Sequence, residues 1–200
     1  DFLITAMPDI KNQIPEAELV IYGMGRIRDA LEREIQEKDM GGYVRINDFV
    51  PFHALPAVLQ EAAIGIVPTK SDVFAGEALS MKALEYMALG IPVVVSRTPV
   101  HDHYYDDSMV RFFVPGDRND FIKSVVGLCR DSEARRKLAE NARGFIRERG
   151  WPAERRKYYS IIDTLLESRA VEPRAILATK NLGFLRPLLP RRVQIAIRRA

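Results

Sequence analysis

The sequence predicts an α/β fold: a parallel sheet flanked by helices, followed by further helices and a basic tail. Three observations carry this. Short apolar runs alternate with helical patterns from residue 2 to about residue 130, the rhythm of strands joined by helical crossovers. The strands stop after residue 117, and three helical patterns follow in succession. Composition is that of a globular protein, 47% hydrophobic and 28% charged over 200 residues, enough for one domain and an appendage.

Each element has its own local signal. "ELVIYG" (18–23) is rich in strand formers and ends in glycine, and "RIRDALEREIQEK" (26–38) sets Ile27, Ala30, Leu31 and Ile35 on one helical face. "YVRIN" (43–47) alternates as a strand does, "AVLQEAA" (57–63) is helical, and "IGIVP" (64–68) is a strand that Pro68 stops. "SMKALEYMALG" (80–90) opens on serine and closes on glycine, the two ends of a helix. "IPVVVS" (91–96) reads as a buried strand, and "VRFFVPGD" (110–117) as a strand and a turn. The late helices are "DFIKSVVGLCRD", "EARRKLAENARGFIRERG" and "PAERRKYYSIIDTLLES". The expected organisation is a domain over 1–168 and a basic tail or linker over 169–200, with prolines at 173, 187 and 190 confining any terminal helix to the last ten residues.

The net charge of +3 is unevenly placed. Residues 1–168 hold 22 Lys and Arg against 26 Asp and Glu, a balance of −4, while residues 169–200 hold eight against Glu172 alone, a balance of +7. The body therefore gives no reason to expect nucleic acid. The tail sets five arginines among Leu188, Leu189, Val193, Ile195 and Ile197, so it is either a peripheral contact for an anionic membrane or a disordered basic terminus. No apolar run reaches the about 18 residues of a membrane span. A single cysteine, Cys129, excludes a disulfide framework and fits a reducing, cytoplasmic compartment; its apolar setting makes it a buried helix residue. The chain opens on Asp1 and reads as a piece of a longer one.

In an open parallel sheet, ligands bind beyond the carboxyl ends of the strands, where loops meet helix N-termini. The candidate here follows "IGIVP". Ser80 is a good N-cap, which leaves the amides of the first turn, Met81, Lys82 and Ala83, turned toward that crevice as a site for an anion. Lys82 opposes the helix dipole until an anion binds; by its spacing alone it is slightly better read as a solvent-facing lysine. Glu77 and Glu85 have seven residues between them, a spacing that Glu140 and Glu148 repeat. Context separates the pairs. Glu140 and Glu148 lie in a charged, solvated helix, whereas Glu85 falls between Leu84 and Tyr86, partly buried and in need of donors such as sugar hydroxyls.

The stretch "FAGEALSMKALEYMALGIPVVVS" resembles the signature of the family 4 retaining glycosyltransferases of the GT-B fold (glycosyl transferases group 1). "PEAELVIYGMG", "NDFVPFHALPAVLQEAAIGIVP", "FFVPGDRNDF" and "RGWPAERRKYY" extend the likeness over roughly residues 2–168. The resemblance implies the Rossmann-like C-terminal half of such an enzyme, which binds a nucleoside-diphosphate sugar without a metal or cofactor. It implies that Glu85 holds the ribose hydroxyls, that Glu77 lies beside the transferred sugar, and that the amides of Ser80, Met81 and Lys82 receive the sugar and diphosphate. Gly23 and Gly25 would form the glycine loop near the phosphates, and the backbone of Phe49, Val50 and Pro51 would lie near the base. The family's first strand with its Arg and Lys, and the acceptor-binding N-terminal domain, would precede Asp1, so the chain is expected to be inactive alone. The setting implied is bacterial polysaccharide or glycolipid synthesis. Ser-Met-Lys at 80–82 departs from the commoner Gly-Leu-Pro and leaves the donor sugar open.

The remaining candidates have plainer readings. His53, His101 and His103 do not form a helix-face pair of metal ligands, "HDHYYDD" reads as a loop, and the three histidines read as surface or acceptor-side packing residues. "GMGR" is a fragment of a dinucleotide fingerprint without the third glycine, and Trp151 reads as a packing anchor. Two other functions stay open on sequence: half of a nucleotide-sugar epimerase, and a non-catalytic module that binds a partner or a membrane.

Overall fold

A computed structural model describes residues 1–70 and 77–176, with side chains to residue 168. The chain forms two compact units, Asp1–Ala153 and Glu154–Ala200. The first unit alternates strand and helix: α1 (Phe2–Gln13), β1 (Leu19–Tyr22), α2 (Arg28–Glu37), β2 (Val44–Asn47), α3 (Leu55–Leu59), β3 (Gly65–Val67), α4 (Met81–Leu89), β4 (Val93–Ser96), α5 (Pro99–Tyr104), β5 (Arg111–Phe113), α6 (Arg118–Arg130) and α7 (Ser132–Arg149). α8 (Trp151–Ile176) begins at its end. The described part of the second unit is the rest of α8, so the boundary expected near residue 168 falls inside a helix. The membrane and terminal-helix readings of the tail rest on residues that lie almost wholly outside the described ones.

Among the described residues all strand pairs are parallel, in two ladders. β1 pairs with β2, Leu19 opposite Val44 and Tyr22 opposite Asn47. β3, β4 and β5 form the other, with Val67 opposite Val95 and Ser96 opposite Phe113. The two-residue period of a strand explains why β4 reads "VVVS" without alternation. Val94 joins a core on one face, and Val93 and Val95 a second core on the other. β5 divides likewise, Phe113 to the first core and Phe112 to the second.

The first core spans both ladders: Leu19, Val44 and Val94 meet Ile4, Met7 and Ile10 of α1 and Phe121, Val125 and Leu128 of α6. The second is closed by Ala83 and Met87 of α4, Tyr105, and Ala142 of α7. β1 and β2 are covered on one face, and Val20 and Arg45 of the other are exposed.

Most elements fall where the sequence puts them, and three do not. α1 has no counterpart in the expectation. The helix expected over 57–63 is five residues long and ends at Leu59. "HDHYYDD" is helical in its first four residues and leaves the helix at Tyr105: Thr98 caps α5, its Oγ1 accepting from the His101 amide (3.3 Å), with Pro99 in the first turn. That helix carries His101 into the core, where it is 0% exposed, which overturns its surface reading. Cys129 is half-buried, and Trp151 is 59% exposed at the start of α8.

Candidate functional site

The carboxyl ends of the strands carry two clusters, one on each ladder. On the β3–β5 ladder the centre is α4. Ser80 Oγ accepts from the Ala83 amide (3.5 Å), and Gly90 ends the helix in the left-handed conformation at φ 73°. Serine start and glycine stop thus work as the sequence predicts. With Ala83 satisfied by the cap, the amides of Met81 and Lys82 have no acceptor inside the helix. Both side chains are exposed, and Lys82 puts its ammonium in the first turn, where the dipole favours negative charge.

Glu77 is exposed in the turn ahead of α4, and Glu85 is half-buried one turn into it. Among the described residues no hydrogen bond or ion pair reaches the Glu85 carboxylate. Its neighbour Tyr86 seats the helix on the sheet. The Tyr86 ring lies under Gly65 of β3, a ring carbon 2.4 Å from where a Cβ would sit, so α4 approaches the strand as only glycine permits. Burial, and then the charge of Glu85, push the Tyr86 phenol up. The decoy pair behaves as its charged context demands: Glu140 is exposed and bonded to Arg136 (2.6 Å).

On the β1–β2 ladder, Gly23 leaves β1 at φ 148° and its amide donates to Asn47 O (3.2 Å), the last residue of β2. The glycine loop, with Gly25, is thereby joined to the segment that runs through Phe49, Val50 and Pro51 to α3. Met24, Ile27, Phe49 and Phe52 stand 60% or more exposed on and around these two loops.

Arg28, which the sequence reading passed over, holds these loops. Its Nε donates to Glu32 (2.7 Å), one Nη to Asp48 (2.6 Å) and to Gly23 O (3.4 Å), and the other Nη to Ile46 O (3.2 Å). Only Glu32 lies within helical reach; the β2 partners are 18 and 20 residues away, so no local pattern signals the arrangement. Arg97, at the end of β4, was passed over too. It bridges Asp102 and Asp107 and lies 3.9 Å over the Phe112 ring, which commits its charge within the fold.

Among the described residues no group of three or more His, Cys, Asp or Glu side chains converges as metal ligands. His101 Nδ1 lies 2.9 Å from Ser96 O and its Nε2 is buried with no partner among the described residues. Burial lowers its pKa, and the Ser96 bond opposes this less strongly. The imidazole is a neutral core group.

The model of one protein family, described as "Glycosyl transferases group 1", matches residues 1–145. A GDP-mannose-dependent alpha-(1-6)-phosphatidylinositol monomannoside mannosyltransferase of Mycolicibacterium smegmatis is 29% identical over 64% of this chain and 34% of its own length. An alpha-D-kanosaminyltransferase of Streptomyces kanamyceticus is 24% identical over 71% of this chain and 36% of its own. The chain thus spans about a third of the length of these relatives. Among solved structures, sucrose-phosphate synthase from Thermosynechococcus elongatus has a TM-score of 0.71 at 22% identity, covering 84% of this chain and 42% of that one. The C-terminal domain of a glycosyl transferase group 1 protein (LpcC) from Francisella tularensis scores 0.63 at 19% identity, covering 74% of this chain and 77% of that one. The Anabaena protein HepE in complex with UDP scores 0.69 at 15% identity, covering 82% and 44%.

Proposed function

The chain belongs to the glycosyl transferases group 1 family, and on that footing we propose that it is the donor-binding half of a retaining glycosyltransferase. It takes a nucleoside-diphosphate sugar as donor and works with an acceptor-binding domain outside this chain. The observation that carries the reading is the start of α4: a Ser80-capped helix end whose Met81 and Lys82 amides have no acceptor inside the helix, exposed Lys82, and half-buried Glu85 one turn on. The match to an isolated C-terminal domain over 77% of its length supports assignment to that half. Relatives whose names include GDP-mannose and UDP make both bases probes.

In this reading the diphosphate lies against the α4 amides and Lys82, which meet negative charge as it grows on the leaving group. Glu85 accepts from the two ribose hydroxyls, which supply donors that its carboxylate lacks among the described residues. Glu77 lies by the sugar and stabilises positive character at the anomeric carbon. The residues in these roles need neither metal nor cofactor.

Calorimetric titration of UDP and GDP tests the assignment. Glu85→Ala is expected to weaken nucleotide binding by about 1.5–3 kcal/mol, the range for hydrogen bonds to a charged group. Wild-type affinity in a folded Glu85→Ala protein would remove Glu85 from the ribose role.

A further inference from the structure

We propose that Arg28 is a positioning residue that couples the glycine loop after β1 to the loop after β2, so that both walls of the nucleotide crevice are set together. The inference rests on the donor-binding reading for its function, and on geometry for its mechanism. One guanidinium donates to four acceptors from three segments: Glu32 on its own helix, Gly23 O in the glycine loop, and Ile46 O and Asp48 at the end of β2. The Arg28 amide also donates to Gly25 O (3.2 Å), which closes the glycine loop on itself.

The arrangement has the properties of a clamp. The planar fork of arginine fixes direction as well as distance, which the single ammonium of lysine does not. The Arg28 side chain is 25% exposed, so its bonds are partly shielded, while Asp48 at 87% is held from the open side. The loops it ties carry Gly23 and Gly25 on one side and Phe49, Val50 and Pro51 on the other. They need fixing: Ile27 gives α2 no side-chain cap, and Gly23 at φ 148° has wide conformational freedom. Ordering loops before the ligand arrives lowers the entropic cost of binding. A nucleotide whose phosphates touch one loop and whose base touches the other gains most from such coupling.

The test uses Arg28→Ala, Arg28→Lys and Asp48→Asn, with Arg45→Ala as control, because Arg45 makes an exposed ion pair with Glu18 on the same ladder. Nucleoside-diphosphate affinity is measured well below the thermal midpoint, and amide hydrogen exchange is followed in 23–27 and 48–51. We expect Arg28→Ala to weaken UDP or GDP binding by about tenfold, the loss of one or two charge-assisted bonds. Arg28→Lys should recover little of it, Asp48→Asn should shift affinity the same way by less, and Arg45→Ala should change nothing. Exchange should quicken in both loops together in Arg28→Ala. A purely structural arginine would lower the melting temperature and leave the affinity of folded protein unchanged. That result, faster exchange in one loop only, or an equal loss in Arg45→Ala would overturn the proposal. If the wild-type protein binds no nucleoside diphosphate, the donor reading fails by itself, and the exchange measurement still decides whether Arg28 couples the loops.

Discussion

Charged side chains divide by whether the fold already satisfies them. Arg97 is spent on Asp102 and Asp107, and Glu140 on Arg136, whereas Glu85 is half-buried without a partner among the described residues and Glu77 is exposed. In the role proposed for it, Glu77 acts as charge develops on the sugar, so Glu77→Gln in the full-length enzyme should lower kcat more than donor affinity; steady-state kinetics beside direct donor binding would show the split, and normal turnover would sink the role. His101 belongs to the fold. Its folded-state pKa is lowered by burial, so the unfolded chain takes up a proton near the ordinary value of about 6.5 while the native protein does not. The stability it contributes is whole above that pH and is lost as pH falls toward the lowered value. His101→Asn, whose amide nitrogen can replace Nδ1 toward Ser96 O, should flatten the decline in melting temperature from about pH 7.5 to about pH 5. Equal slopes in the two proteins would contradict this. The partial burial of Glu85 and the exposure of Glu140 and Glu148 were legible from their neighbours in sequence. His101 was not, because the surface reading of "HDHYYDD" missed the cap at Thr98 that turns it inward.

At the scale of elements, α4 was the most legible, since serine cap, apolar face and closing glycine all lie within eleven consecutive residues. Its placement was not legible, because it depends on contacts between residues far apart in sequence: the Tyr86 ring fills the space beside Gly65, and Arg143 of α7 packs at Gly90 and donates to Leu89 O (3.2 Å). Gly65→Ala must displace the ring and the helix that carries Glu85, with a cost of about 1–3 kcal/mol for overpacking. Gly41→Ala, where an added Cβ meets nothing within 4 Å, should stay within about 0.5 kcal/mol. Urea denaturation of both variants checks the pair; equal midpoints would mean that α4 is not seated through Tyr86. α1 and α5 escaped the sequence reading for local reasons: Pro8 lies inside the first, and the second is six residues long, too short for a period to emerge.

At the scale of the molecule, alternation of strand and helix was enough to give parallel pairing, because parallel strands require crossovers and both faces of the β3–β5 ladder are then covered. The division into two ladders was not visible, since pairing depends on which strands neighbour one another and not on their local pattern. What the fold achieves is to bring two loop clusters, each at the carboxyl ends of a ladder, onto one compact unit with a shared core under both. The claim that matters is that these clusters form a nucleotide site. It is tested most directly by titrating UDP and GDP into isotopically labelled protein and following backbone amides residue by residue. The account predicts that one nucleotide shifts Met81, Lys82 and Ala83 together with Gly23, Gly25 and the residues at 49–50, in a single saturable step, and leaves the far end of the strands unmoved. Saturable binding with shifts elsewhere and none at the start of α4 would contradict it.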